Sequence, residues 1–402
     1  MMTSIMSQDR PGAASRRRAG RRLQALCAAA LLHLAGPAAA AAPSPASLIP
    51  APPSINAGGY VLLDYNTGAV LAENNARTRM EPASLTKLMS AYLVFNELQH
   101  GSLKQDQLIT ISENAWRAQG SRMFIEVNKQ VAVDDLVKGM IVQSGNDATV
   151  ALAEQVAGSE GAFADMMNTT AATLQMKDSH FMNSTGMPDP QHYTTAYDLA
   201  LLTRALITDF PEYYKTYSIR EFTYNNITQY NRNKLLWRDP SVDGVKTGHT
   251  DSAGYCLVTS AKRDDMRLIS VLLGAKSDNV RVEETQKLLN YGFRFYETHR
   301  VYGAGASLTT ARVWKGDSEE LPLGLAQDLY VTIPRNQYQK LNGVMNVNAT
   351  IMAPVRKGQQ LGTVQVTLDG KNVAERPLVA LREIPEGNLA QRISDEIRLF
   401  FE

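Results

Sequence analysis

Glu81-Pro82-Ala83-Ser84-Leu85-Thr86-Lys87 is the stretch on which the reading of this chain turns. Proline pre-sets φ for the start of a helix. After it, Leu85, Leu88, Met89, Tyr92, Leu93 and Phe95 recur at helical spacing to about Leu98, and Gly101 supplies a stop. The pattern places Ser84 in the first turn, with Lys87 on the same helix face at i+3. An amine there can take the proton of the serine hydroxyl, provided the amine is itself kept neutral. The positive end of the helix favours negative charge developing at that serine. Ser84 is therefore a candidate nucleophile and Lys87 its candidate base. By composition alone, a Ser-x-x-Lys spacing arises roughly once in a chain of this length, so the reading rests on what accompanies it.

Working outward, Gly59 to Asp64 and Ala69 to Glu73 read as strands joined through Asn66-Thr67-Gly68. Leu136 to Val142 and Ala148 to Val156 read as helices flanking Ser144-Gly145-Asn146, which puts that tripeptide on a loop. Thr195 to Leu206 reads as a further helix, with Asp198 as a carboxylate of its first turns rather than a base. Gly254 to Ala261 and Arg267 to Leu273 form a predicted hairpin across Lys262-Arg263-Asp264-Asp265. Lys246-Thr247-Gly248 precedes it, on an expected edge strand. Asp278 to Glu297 reads as a long closing helix with Val282, Leu288, Leu289 and Phe293 inward. Strands first and last with helices between imply a layered α/β domain. From Ala306 to Arg382 short alternating runs are punctuated by Gly, Pro and Asp369-Gly370, an all-β module. Leu389, Ile393, Ile397, Phe400 and Phe401 then mark an amphipathic helix. It can lie in a membrane interface or pack on its own β-module.

A length of 402 residues favours two domains, and 41 Lys+Arg against 40 Asp+Glu provide no basic field for nucleic acid. Arg16-Arg17-Arg18 and Arg21-Arg22, the apolar run Leu23 to Ala35 and the small residues Ala38 to Ala42 read as a secretory signal peptide, with an uncleaved anchor or a twin-arginine signal as lesser alternatives. Loss of residues 1–42 removes six arginines and Asp9, taking the formal charge from +1 to −4. It also removes Cys27, leaving Cys256 without a disulfide partner inside an apolar run, where it reads as a small buried hydrophobe. The expected organisation is a signal peptide at 1–42, a proline-rich flexible leader at 43–57, a catalytic domain at 58–300, an all-β domain at 301–385 and an amphipathic helix at 386–402. No His-x-x-His or cysteine cluster suggests a metal, and no cofactor is expected.

Ser84-x-x-Lys87, Ser144-Gly145-Asn146 and Lys246-Thr247-Gly248, in that order, with Asn231-Arg232-Asn233 and Asp243 to Thr250, make the chain resemble the low-molecular-mass penicillin-binding proteins of the D-Ala-D-Ala carboxypeptidase type. The resemblance runs from about Gly59 to the C-terminus. It implies a transpeptidase/β-lactamase-like catalytic domain, an antiparallel sheet with helices, followed by a small all-β domain and a C-terminal amphipathic anchor. The implied substrate is the peptidoglycan stem pentapeptide, cut at its terminal D-Ala-D-Ala bond through an acyl-enzyme on Ser84, with β-lactam antibiotics as covalent inhibitors. Lys87 is the implied base, lowered in pKa by Lys246 and partial desolvation. Ser144 relays a proton to the leaving amine, and Asn146 bonds the substrate amide. Thr247, Gly248, His249 and Arg232 are the implied substrate-binding residues, Arg232 as a bidentate carboxylate clamp or alternatively as a brace for its own loop. The backbone N–H groups of Ser84 and His249 form the implied oxyanion hole, and the His249 side chain can be purely structural. The implied location is the periplasmic face of the cytoplasmic membrane, held peripherally through 387–402. Ser184-Thr185-Gly186 departs from relatives that often carry His before the Gly, which bears on deacylation.

A peptidoglycan endopeptidase would share every motif. A class A β-lactamase would need a Glu-x-x-Leu-Asn between Ser144 and Lys246, and the nearest stretch, Glu221 to Asn225, has strand composition and the wrong residue before Asn225. A non-catalytic wall-binding protein would have no use for an intact nucleophile, base and Lys-Thr-Gly together.

Overall fold

The computed structural model describes residues 49–401. The expected signal peptide at 1–42, the first part of the leader and Glu402 lie outside the described residues. Residues 49–57 of that leader run beside the closing helix, where Tyr291 Oη donates to Pro50 O at 3.0 Å and Asn56 Nδ2 to Glu284 Oε1 at 3.2 Å.

One antiparallel sheet organises the first domain, in the order Val70–Asn74, Gly59–Asp64, Met266–Ala275, Gly254–Arg263, Val242–Thr250. The strand carrying Lys246 is thus at the edge, as its sequence position predicts. Successive side chains alternate between faces. Val61, Leu63, Val258, Ile269 and Val271 meet the helices on one side. Tyr60, Leu62, Leu257 and Leu268 meet Val282, Leu288 and Leu289 of the closing helix Asp278–Phe295 on the other. Each fully buried Leu or Ile contributes roughly 2 kcal/mol. That helix lies so close to the sheet that a Cβ at Gly292 would sit 2.6 Å from Leu268 Cδ1.

The helix Lys87–His100 is the centre of the helical layer. Leu88, Met89, Ala91, Val94 and Phe95 are buried in near succession, while Tyr92, Asn96 and Gln99 keep contact with water toward its end. Gly101, at φ 78°, ends it with its N–H on Leu98 O. The helix expected over 136–142 is Val133–Lys138, which widens into a π turn over Gly139–Gln143 and stops at Ser144 in left-handed φ, 68°. Asn146–Ala157 follows. Thr195 caps Ala196–Asp209 by accepting from Asp198 N, and the Asp198 carboxylate accepts from Asp178 N and Ser179 Oγ, a structural use.

The β-module begins with Tyr296–Tyr302, paired with Leu329–Pro334, where the sequence reading set its first residue at 301. Its five-stranded antiparallel sheet runs Ser307–Arg312, Glu320–Gly324, Lys371–Ala380, Gln360–Leu368, Leu341–Val347. A buried carboxylate ties it to the catalytic domain: Asp64 accepts from Thr67 N and Oγ1 at 2.8 Å and from Thr298 Oγ1 at 2.7 Å.

The terminal helix Leu389–Phe401 docks by its polar side. Asp395, buried, accepts from Lys315 N at 2.6 Å, Glu396 pairs with Lys315, and Arg398 pairs with Glu319 at 3.3 Å. Its apolar side faces outward, with Leu389 73%, Phe400 85% and Phe401 82% exposed. Among the described residues no helix is long and apolar enough to cross a membrane.

Candidate active site

The nucleophile turn is a 3-10 turn, Ala83–Thr86, leading directly into the buried helix. Ala83 is held at φ 48°, a conformation that costs a non-glycine residue energy and that clusters at functional sites. Lys87 begins the helix on its buried side and is 1% exposed. Its Nζ donates to Ser84 Oγ at 3.1 Å, Asn146 Oδ1 at 2.6 Å and Thr185 O at 2.7 Å. All three donors are therefore directed, one of them at the serine.

Ser144 ends the π turn, and Asn146 opens the helix that follows it. Ser144 Oγ is buried and, among the described residues, has no hydrogen-bond partner, although it lines the cleft beside Ser84. Asn146 uses both ends of its amide: Oδ1 takes Lys87, and Nδ2 donates to Gln119 O. In this structure Asn146 orients the base, a use beyond the substrate contact expected of it. The next residue, Asp147, is fully buried. It accepts from Met123 N at 3.0 Å, Phe124 N at 2.9 Å, Ile125 N at 3.3 Å and Ala148 N at 2.9 Å, so one carboxylate pins the segment that carries Gly120 and Ser121 over the cleft.

The Lys246 strand closes the opposite wall. A Cβ at Gly248 would sit 2.9 Å from Pro82 O, so only glycine lets this strand approach the nucleophile turn so closely. The His249 ring is exposed and packs at a tilt against Tyr255, with centroids 4.0 Å apart. Asn231 and Asn233 point inward, Asn231 Nδ2 to Ile219 O at 3.0 Å and Asn233 Nδ2 to Gly244 O at 2.9 Å, which turns Arg232 between them toward the cleft. Among the described residues no carboxylate pairs with Arg232. A second cation, Arg281, is buried behind the strand, donating to Gly248 O at 3.0 Å and pairing with Asp278 at 2.5 Å. Ser84, Ser144, Arg232, Thr247, His249 and Arg281 are among the residues lining a cavity of about 330 Å³. Across Asn146 lies a second cavity of about 270 Å³, lined by Gln119, Glu160, Asn183, Thr185 and Met187 among others.

Burial is the first cause that pushes Lys87 down to about 7, and Arg232 is the second, against opposing pulls from Asp147 and Glu160. Arg232 joins Lys246 as a cation near Lys87, and the two lysines oppose charge on each other. Lys246 responds in turn, pushed well below its ordinary range by burial, then by Lys87, Arg232 and Arg281. Two buried amines in one field titrate as a pair, and burial drives both downward. Cys256 is buried and its thiol is pushed up to about 11, which suits a small hydrophobe rather than a nucleophile.

The structure brings Ser84, Ser144, Thr247, Gly248, His249 and Arg232 to one cleft, with Lys87 and Asn146 hydrogen-bonded behind Ser84 and Lys246 buried in the field of Lys87 and Arg232. Sequence reasoning missed Asp147, the carbonyl of Thr185 and Arg281. Arg281 left a trace: it falls on the inward face of the closing helix beside Val282, where a cation needs a reason. Asp147 left less, since a carboxylate in a first helical turn is ordinary.

The family described as D-alanyl-D-alanine carboxypeptidase matches residues 46–277, and the C-terminal domain of penicillin-binding protein 5 matches residues 296–386. The chain is 44% identical over 363 residues to D-alanyl-D-alanine carboxypeptidase DacA of Escherichia coli strain K12, covering 88% of this chain and 90% of that protein. The crystal structure of penicillin binding protein 5 from Haemophilus influenzae superimposes with a TM-score of 0.80 at 42% identity, over 84% of this chain and 100% of that one. Penicillin-Binding Protein D2 from Listeria monocytogenes in the ampicillin-bound form matches with a TM-score of 0.56 at 31% identity, over 60% of this chain and 98% of that one.

Proposed function

The chain belongs to the D-alanyl-D-alanine carboxypeptidase family of serine peptidases, and from that membership we propose that it removes the terminal D-alanine of peptidoglycan stem pentapeptides through an acyl-enzyme on Ser84. The observation that carries this reading is Lys87 Nζ, buried and 3.1 Å from Ser84 Oγ. Neutral Lys87 takes the Ser84 proton as Oγ attacks the carbonyl of the penultimate D-Ala. The oxyanion is received by the N–H groups of Ser84 and His249, each such donor being worth roughly 3 kcal/mol. Ser144, its hydroxyl otherwise unpartnered among the described residues, passes a proton to the amine of the departing D-Ala. Water then attacks the ester and returns Ser84 to its free form.

Specificity for a free terminal carboxylate follows from the wall formed by Thr247, His249 and Arg232, with Arg281 reinforcing the field behind it. The acyl part of the peptide passes Asn146 toward the second cavity. β-Lactams acylate the same serine. Export through the N-terminal segment and peripheral attachment to the periplasmic face of the cytoplasmic membrane complete the reading. What supports attachment is the terminal helix, whose polar side is occupied by the β-module while Ile393, Ile397, Phe400 and Phe401 stay exposed.

Incubation of the exported form with penicillin, followed by intact-mass measurement, should give one covalent adduct, lost in Ser84→Ala. An adduct surviving that substitution would overturn the reading. Release of D-alanine from monomeric pentapeptide, exceeding cleavage of cross-linked dimers, separates carboxypeptidase from endopeptidase.

A further inference from the structure

His192 takes no part in the chemistry above, yet it is buried, 2% exposed, directly beneath the nucleophile turn. Its Nδ1 accepts from Met182 N at 3.2 Å, so the ring proton is on Nε2. Nε2 lies 2.8 Å from Thr86 Oγ1, and the Thr86 hydroxyl donates to Ala83 O at 2.8 Å. The direction of every bond is therefore fixed: Met182 N–H to Nδ1, Nε2–H to Thr86, Thr86 O–H to the Ala83 carbonyl. Burial keeps the ring neutral, pushing it down to about 4 against the pull of Asp189, with His180 and Lys87 acting in the same direction as burial.

This relay of hydrogen bonds ends on a peptide plane. The Ala83 carbonyl and the Ser84 N–H belong to one planar trans unit, so fixing the carbonyl fixes the N–H in the opposite direction. Ala83, at φ 48°, opens the 3-10 turn that carries Ser84. Gly186 covers the same carbonyl so tightly that a Cβ there would lie 1.8 Å from Ala83 O, and among the described residues the Thr86 hydroxyl is the side-chain donor to it.

We propose that His192 is a positioning residue for the oxyanion hole: by donating to Thr86 it locks the Ala83–Ser84 peptide so that the Ser84 N–H faces the reacting carbonyl. This rests on the assignment of Ser84 as nucleophile. A donor aimed at charge that exists only in the transition state affects kcat and leaves substrate binding alone.

The test is steady-state hydrolysis of a D-Ala-D-Ala peptide by His192→Asn, His192→Gln, Thr86→Val and Thr86→Ser. Asn retains the acceptor for Met182 but cannot reach Thr86, whereas Gln restores a donor at the Nε2 position. His192→Asn and Thr86→Val should each lower kcat about 10- to 100-fold, a part of the loss seen on deleting an oxyanion donor outright, with KM within about twofold. His192→Gln and Thr86→Ser should recover most of it. Combining His192→Asn with Thr86→Val should be no worse than either substitution alone, since both break the same relay. Additive losses, a Gln variant as poor as the Asn variant, or a rise in KM at constant kcat would overturn the proposal. If His192→Asn fails to fold, the Thr86 pair decides alone. Wild-type enzyme lacking a penicillin adduct would instead refute the Ser84 assignment, so the two failures are distinct.

Discussion

Lys87 is pushed from an ordinary 10.5 to about 7, and this makes the acid limb of acylation calculable. Only the neutral amine accepts the serine proton, so the rate at saturation follows the neutral fraction. For a group titrating at about 7 that fraction is roughly 0.09 at pH 6 and 0.9 at pH 8, a tenfold fall as the solution is acidified. At the ordinary lysine value only about 3 in 10,000 molecules would be neutral at pH 7, so the shift supplies on the order of a thousandfold. The perturbation that tests its cause is Arg232→Gln. Arg232 opposes the charge on Lys87, so its removal lets the Lys87 pKa rise and moves the limb to higher pH. The variant therefore loses more acylation at pH 6 than at pH 9. Stopped-flow acylation by a fluorescent penicillin, at constant ionic strength, separates the saturating rate from binding, which also weakens if Arg232 holds a carboxylate. A flat saturating rate between pH 6 and 8 in the wild type, or a limb that stays put or moves down in Arg232→Gln, would refute the electrostatic account.

Two other results are expected. Asp147→Asn replaces one oxygen of a buried carboxylate that accepts four backbone N–H groups, so at least one of them loses its partner. The cost is about 3 kcal/mol, visible as a lower urea midpoint, and turnover falls as the Gly120–Ser121 segment loosens; a change under about 1 kcal/mol would contradict it. Ile393→Asp combined with Ile397→Asp removes roughly 2 kcal/mol of burial per site from the outward face of the terminal helix. Sedimentation with anionic vesicles should show more than a tenfold loss in partitioning for each substitution, and unchanged partitioning would leave the helix as a packing element alone.

Much of the fold was legible because its signals are short-range. Pro82, the apolar spacing from Leu85 to Leu98 and Gly101 define a helix and place Ser84 at its start. The β-rich runs of Gly254–Arg263 and Met266–Ala275, parted by the charged Lys262 to Asp265, define a hairpin with the Lys246 strand beside it. The leader and the terminal helix were less determined, since a proline-rich or amphipathic pattern does not say what packs against it. Tyr291 and Asn56 settle part of the first, and Asp395 with Lys315 N settles which side of the second is turned inward.

By itself the sequence determined the chemical parts of the site: a serine with a lysine at i+3 in a first helical turn, a Ser-Gly-Asn loop and a Lys-Thr-Gly edge strand. Tertiary structure alone decided what those parts experience. That Arg232 opposes charge on Lys87, that Asp147 pins the cleft's rim and that His192 braces the Ala83–Ser84 peptide all depend on groups brought together from distant points of the chain. Electrostatic fields and hydrogen bonds act through space and through burial, and neither distance nor dielectric is written in residue order. Ser84 and Lys87 could be paired by counting three positions, but the lowered pKa of Lys87 required the burial of its end of the helix and cations brought beside it.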